Sequence, residues 1–112
     1  MINQEILNEL LELIPRDQWE LMLGSLFTPH SGDVDVLIDR LGQTSREAIG
    51  DQAHKLKGAA LLMGLSALGE AAAELEYLAR RSSDPISAAL WIPKLQQLSA
   101  DSHAQVRALL GM

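Results

Sequence analysis

The sequence predicts an all-α fold, an up-and-down four-helix bundle with additional short helices at its N-terminus, and three observations carry that expectation. Apolar residues recur at i, i+3, i+4 and i+7 through most of the chain. Cap and breaker residues fall between these runs, and no strand-like alternation of any length interrupts them. From Thr44 onward the predicted helices are long, whereas those before it are short. With 112 residues, 47% of them hydrophobic, the chain suits one domain spanning 1–112 around one core, and two domains would not fit.

Ile6, Leu7, Leu10, Leu11, Leu13 and Ile14 mark a short first helix, with Asn3 placed to cap it and Pro15 either to end it or to open the next. Trp19, Met22, Leu23 and Leu26 mark a second, which stops by Thr28 and Pro29. Val34, Leu37, Ile38 and Leu41 give a third stripe, closed by Gly42. Thr44, Ser45, Arg46 and Glu47 fit a capping box with Thr44 as the cap, so the next helix should begin at about Ser45. It should end near Met63, because Gly64 suits the left-handed conformation of a helix terminus. Ser66 is placed to cap a fifth helix that turns Leu68, Ala72, Leu75 and Leu78 inward and runs to about Arg81. Asp84 as cap and Pro85 at the first helical position would open the last helix, which carries Leu90, Leu95, Leu98, Val106 and Leu109. Pro93 within it predicts a kink or a break between Leu90 and Lys94.

Nine basic against fifteen acidic residues give a formal charge of −6, which argues against a nucleic-acid binder, since phosphate contacts need a basic surface. With no cysteine, neither a disulfide framework nor a thiolate metal site is available, which suits a reducing compartment. Glu5 and Glu9 stand where a signal peptide would be basic, and no apolar run approaches the roughly 20 residues of a membrane span. A soluble, cytoplasmic domain without direct membrane contact is the expectation. His30 and His103 have no metal-ligand spacing to His54, so no bound metal or other cofactor is expected.

The chemistry concentrates in the predicted fourth helix. At about 100° of rotation per residue, His54, Lys57 and Gly58 share one stripe, while Ala53, Leu56, Ala60 and Met63 cluster opposite. Glycine within a helix costs about 1 kcal/mol relative to alanine, yet Gly50 and Gly58 fall four residues before and after His54 on the same side. That spacing predicts a hollow above and below the ring, which either lets another protein's backbone approach or lets neighbouring helices pack closely. A reference imidazole, with a pKa of about 6.5, is mostly neutral at pH 7, and its free nitrogen is a competent nucleophile for a phosphoryl group. Phosphoryl transfer then needs positioning and a nearby cation. Lys57, one turn on, is placed to supply it, and Lys55 sits at the edge of the same face.

His54-Lys55-Leu56-Lys57-Gly58-Ala59-Ala60, followed by Gly64 and Leu68, resembles the H-x-L-K-G-[SA]-[SA]-x-x-x-G-x-x-x-L signature of histidine-containing phosphotransfer (HPt) domains, with every fixed position met. The resemblance implies a four-helix bundle in which an exposed His54 accepts a phosphoryl group from an aspartate of a response-regulator receiver domain and passes it to another receiver. It implies that Lys57 steadies the phosphoryl group and that Gly58 leaves room for the partner. It also implies that a polar residue of the following helix faces the site. Glu76 and Arg80 lie at about the right distance, and the sequence leaves open which of them does so. An acidic Glu76 would be unfavourable there unless it bonds the other ring nitrogen. Any metal in the reaction belongs to the receiver's acidic pocket.

Leu61 and Leu65 fall on the His54 side of the wheel, either as an apolar patch for docking a receiver's helix or as residues packed under the N-terminal helices. There is no G-x-x-x-x-G-K-[ST] loop and no room for a kinase catalytic domain, so the expected role is a phosphoryl carrier and not a kinase. Two other readings remain at this level. One is a helical docking module for a receiver or kinase that carries no phosphate, and the other is a structural bundle with its histidine buried. The wording around His54 most resembles the HPt domains that end membrane-bound hybrid sensors, and as an isolated domain a monomer is expected.

Overall fold

The structure is a computed structural model that describes residues 4–43 and 45–111. Six helices account for its elements, α1 (Gln4–Leu13), α2 (Arg16–Phe27), α3 (Asp33–Leu41), α4 (Arg46–Leu62), α5 (Ser66–Arg81) and α6 (Ala88–Leu109). No strand occurs among the described residues. α3, α4, α5 and α6 form a closed ring of packed neighbours, with α4 against α5 the most extensive pairing, and α2 leans on α3, α4 and α6. The chain is therefore all-α, with α1 and α2 as the short additions to the bundle.

The α4–α5 pairing follows from the order of large and small side chains. α4 buries Ile49, Ala53, Leu56 and Ala60, and α5 buries Leu68, Ala72, Leu75 and Ala79, each a single stripe at helical spacing. Alternating bulky and small residues on facing stripes lets the two helices interlock with few voids. Each fully buried leucine contributes about 1.5–3 kcal/mol of transfer free energy. Leu7, Trp19, Leu26, Leu37, Leu95 and Val106 close the same core from the other helices.

The turn between α4 and α5 determines what faces what. Gly64 adopts φ 75°, where a side chain would be strained. Its N–H donates to the Leu61 carbonyl at 3.1 Å, and the Leu65 N–H donates to the Ala60 carbonyl at 2.8 Å. This paired arrangement satisfies the last carbonyls of α4 and folds Leu65 back onto Ala60. At the other end of the pair, Arg46 at the start of α4 reaches the end of α5. Its guanidinium donates to the carbonyls of Leu78, Ser82 and Asp84, the last two at 2.7 and 3.0 Å.

Several helix ends differ from the expectation. Asn3 and Thr44 lie outside the described residues; the cap of α4 is Ser45, whose hydroxyl accepts from the Ala48 N–H at 3.2 Å. Ser66 is the first residue of α5 and not its cap, because Leu65 holds the preceding position. Asp84 and Pro85 do not open α6; Ser87 caps it instead, accepting from the Leu90 N–H. The physical reason is Arg46, which takes the carbonyls of residues 82 and 84 to finish α5. Pro93 lies inside α6 without breaking it, the helix running from Ala88 to Leu109. Leu90 and Leu109 face solvent, and Trp91 takes the inward position that Leu90 was expected to fill.

The link from α2 to α3 is the least forgiving backbone in the bundle. A Cβ at Gly32 would stand 2.6 Å from the Leu26 carbonyl oxygen and 2.7 Å from the Thr28 nitrogen. Neither atom belongs to a side chain that can swing away. Gly32→Ala should therefore lower stability by about 1–3 kcal/mol through overpacking, read as a lower urea midpoint at unchanged m-value; an unshifted midpoint would contradict this packing.

Candidate functional site

His54 sits midway along α4, with Ala53 and Leu56 pointing into the core and the imidazole pointing out, 64% exposed. A buried structural histidine is thereby ruled out. Glu76 of α5 lies opposite. The two residues are each eleven positions from Leu65, so the α4–α5 hairpin brings them level. The Glu76 carboxylate is only 15% exposed and is shared three ways. Its Oε2 meets His54 Nδ1 at 2.8 Å and accepts from Arg80 Nε at 3.1 Å, while Oε1 accepts from Lys57 Nζ at 2.8 Å. Arg80 in turn donates from its terminal nitrogen to Asp51 Oδ1 at 3.0 Å.

This network determines which ring nitrogen faces solvent without a proton. The Lys57 ammonium, and after it His54 and Arg80, hold the Glu76 carboxyl below its ordinary value, against a smaller opposing effect of burial. At neutral pH the group is a carboxylate, which only accepts hydrogen bonds. The contact at 2.8 Å therefore requires a proton on His54 Nδ1, so that the tautomer with its lone pair on Nε2 is the one this contact selects. A carboxylate behind the first nitrogen and a free lone pair on the second is the arrangement of an oriented nucleophile. Asp51, and after it Glu76, raise the Arg80 pKa further, so its charge is fixed.

Of the residues singled out in the sequence, His54, Lys57, Glu76 and Arg80 line one cleft of about 310 Å³ with Ala73, Tyr77 and Arg81. The choice between Glu76 and Arg80 dissolves, since both face the site. Gly58 opens onto free space, with no atom within 4 Å of an added Cβ. Gly50 does not. The Arg80 stem fills its hollow, with Cγ 3.2 Å from where a Cβ would lie, so Gly50 makes room for Arg80 and not for a partner. Leu65 is 0% exposed and belongs to the core, which removes it from any docking patch. Leu61 remains 45% exposed, and the neighbour that joins it at the surface is Leu62, at 67%. Lys55 is exposed at the edge of the face, held 3.3 Å from the buried Asp33.

Asp51 and Tyr77 were missed in the sequence. A signal existed for Asp51, which lies three residues before His54 on the same stripe; none marked Tyr77. Elsewhere, His103 stacks on Phe27 with ring centroids 4.6 Å apart, away from His54. No three His, Cys, Asp or Glu side chains among the described residues converge to hold a metal ion.

A family model described as Hpt domain matches residues 3–109, essentially the whole chain. No curated protein and no solved structure compared with the chain matches it.

Because the folded-state pKa of Glu76 is depressed, its contribution to stability is complete above the ordinary carboxyl value of 4.5 and is lost as pH falls through the lower folded value. Glu76→Gln should thus be less stable than the wild type at pH 6 to 7, and the gap should narrow in urea melts taken progressively below about pH 4.5. A gap independent of pH would show that the charge of Glu76 is not what holds the network.

Proposed function

The chain belongs to the Hpt domain family, whose members are histidine phosphotransfer modules of phosphorelays, and we propose that it takes a phosphoryl group onto His54 from the aspartate of one receiver domain and delivers it to the aspartate of another. The observation that carries this reading is the Glu76 contact to Nδ1 of a ring that is 64% exposed. In the first step the Nε2 lone pair attacks phosphorus in line with the aspartyl oxygen. The N–P bond forms, the O–P bond breaks, and the receiver's carboxylate leaves with its electron pair. The imidazole, already protonated at Nδ1, becomes cationic, and Glu76 balances that charge. Lys57, held on the other Glu76 oxygen, offsets the anionic phosphoryl oxygens. In the second step another receiver's carboxylate attacks phosphorus and the N–P bond breaks, which restores the starting ring. The proton stays on Nδ1 throughout, so neither step needs a general acid or base.

Hpt domains are phosphoryl carriers without kinase activity of their own. Gly58, with open space around it, is the point of closest approach for the incoming receiver, and Leu61 with Leu62 supplies apolar contact beside it. A docking module that carries no phosphate gains no support, since one of the two residues it relied on, Leu65, is buried. We place the domain in the cytoplasm as a monomeric unit spanning 1–112; among the described residues no helix is long and apolar enough to cross a membrane.

Incubation with a phosphorylated receiver should leave an acid-labile phosphate on Nε2 of His54, seen by phosphorus and nitrogen NMR. His54→Gln should abolish it with the fold intact, and Lys57→Ala should slow loading while lowering stability in the same pH-dependent way as Glu76→Gln, with the fold still formed. Phosphate retained by the Gln variant, or found on Nδ1, would refute the assignment. Gly58→Ala should separate stability from activity. It should raise stability by about 0.5–1 kcal/mol, since alanine is the better helix former, while slowing transfer from a receiver; faster or equal transfer would show that no partner approaches there.

A further inference from the structure

Four of the nine lysines and arginines gather around His54 in a chain of net charge −6: Lys55, Lys57, Arg80 and Arg81. Three are already neutralised. Lys55 lies against Asp33, Lys57 against Glu76, and Arg80 against both Glu76 and Asp51. Arg81 lines the His54 cleft and is exposed, and no hydrogen bond or ion pair engages it among the described residues. It is the free positive charge of the site.

Its neighbour on the same wall is Tyr77, one helical turn earlier on α5 and 59% exposed, although it is the chain's single tyrosine. Residues four apart share a helix face. Tyrosine and arginine are, with tryptophan, the residue types enriched among those that dominate protein interfaces. Toward the α4–α5 turn the exposed residues Leu61 and Leu62 are apolar. Charge is thus offered toward the open end of the helix pair and apolar area toward its turn.

We propose that Arg81, one turn on from Tyr77, is the specificity-determining contact on α5 for the phosphorylated receiver, recognising an acidic side chain at the rim of the pocket that holds its phospho-aspartate. This rests on the phosphorelay reading, because it names what that partner must present. An unpaired cation at the rim of a contact acts chiefly on the rate of encounter, and its effect fades as salt screens it. Lys57 is committed to the phosphoryl group, and Arg80 to Asp51 and Glu76, which leaves Arg81 for this. The competing structural role for Arg81 is to complement the C-terminal end of the α5 dipole. That role would alter stability and leave the salt dependence of transfer unchanged.

The experiment measures the second-order rate of transfer from a panel of phosphorylated receivers against ionic strength, for the wild type, Arg81→Gln, Arg81→Glu, Arg81→Lys and Tyr77→Ala. Receiver binding is measured in parallel, and phosphoramidate serves as a small donor that needs no docking surface. Arg81→Glu should slow transfer about tenfold at low salt, with the gap closing as salt is raised. Arg81→Gln should fall between, Arg81→Lys should retain the rate, Tyr77→Ala should weaken binding, and all should load from phosphoramidate as the wild type does. Equal rates and salt slopes for Arg81→Glu and the wild type overturn the proposal. So does an equal loss with phosphoramidate, which would put Arg81 on the phosphoryl group itself. A receiver that binds without loading His54, and binds Arg81→Glu more weakly, overturns the phosphorelay reading and upholds this one; no receiver binding at all overturns both.

Discussion

The site depends on one carboxylate being ionised where solvent barely reaches it. Glu76 is 15% exposed and carries three partners, so its charge is satisfied by Lys57, Arg80 and the ring of His54 together. A half-buried carboxylate without such partners would take up a proton, and a protonated Glu76 could donate to the ring instead of accepting from it. The two lone-pair positions of the imidazole would then be reversed. The cations around Glu76 thus decide which nitrogen of His54 is available, although only one of them belongs to the same helix as Glu76.

That dependence explains why so much of the α4–α5 pairing is built from small residues. Ala53, Ala60, Ala72 and Ala79 bring the two helices close enough for a glutamate to reach a histidine side chain directly. Gly50 serves the same end, giving the Arg80 stem a place to lie while its guanidinium spans Asp51 and Glu76. Packing and electrostatics are not separable here, since the close approach that fills the core also sets the length of the charge network.

The sequence made the helices, the outward face of α4 and the pairing of His54 with Lys57 legible, because each is a property of one helix and its period. What it hid came from a second element. A wheel drawn for α4 alone shows Gly50 and Gly58 as equivalent hollows, yet Arg80 from α5 occupies only the first. The same wheel carries Leu65 onto the His54 side, but the helix has ended at Leu62 and the left-handed Gly64 turns Leu65 inward. Asp84 and Pro85 have the local chemistry of a helix start, and Arg46, 38 residues before Asp84, overrides it. The choice between Glu76 and Arg80 was undecidable for a similar reason: they are one turn apart, and only the neighbouring helix shows that the two act as a pair.

Arg46 also gives the bundle a weak point distinct from its core. It fastens the beginning of α4 to the finish of α5, and so keeps the open end of the pair from splaying. Fraying of that end would draw Glu76 away from the imidazole while the Gly64 turn and the interior beside it stay in place. Loss of relay competence on warming should then precede collapse of the bundle, because fraying at an open end demands far less free energy than global melting. The carrier would fall silent while still looking folded.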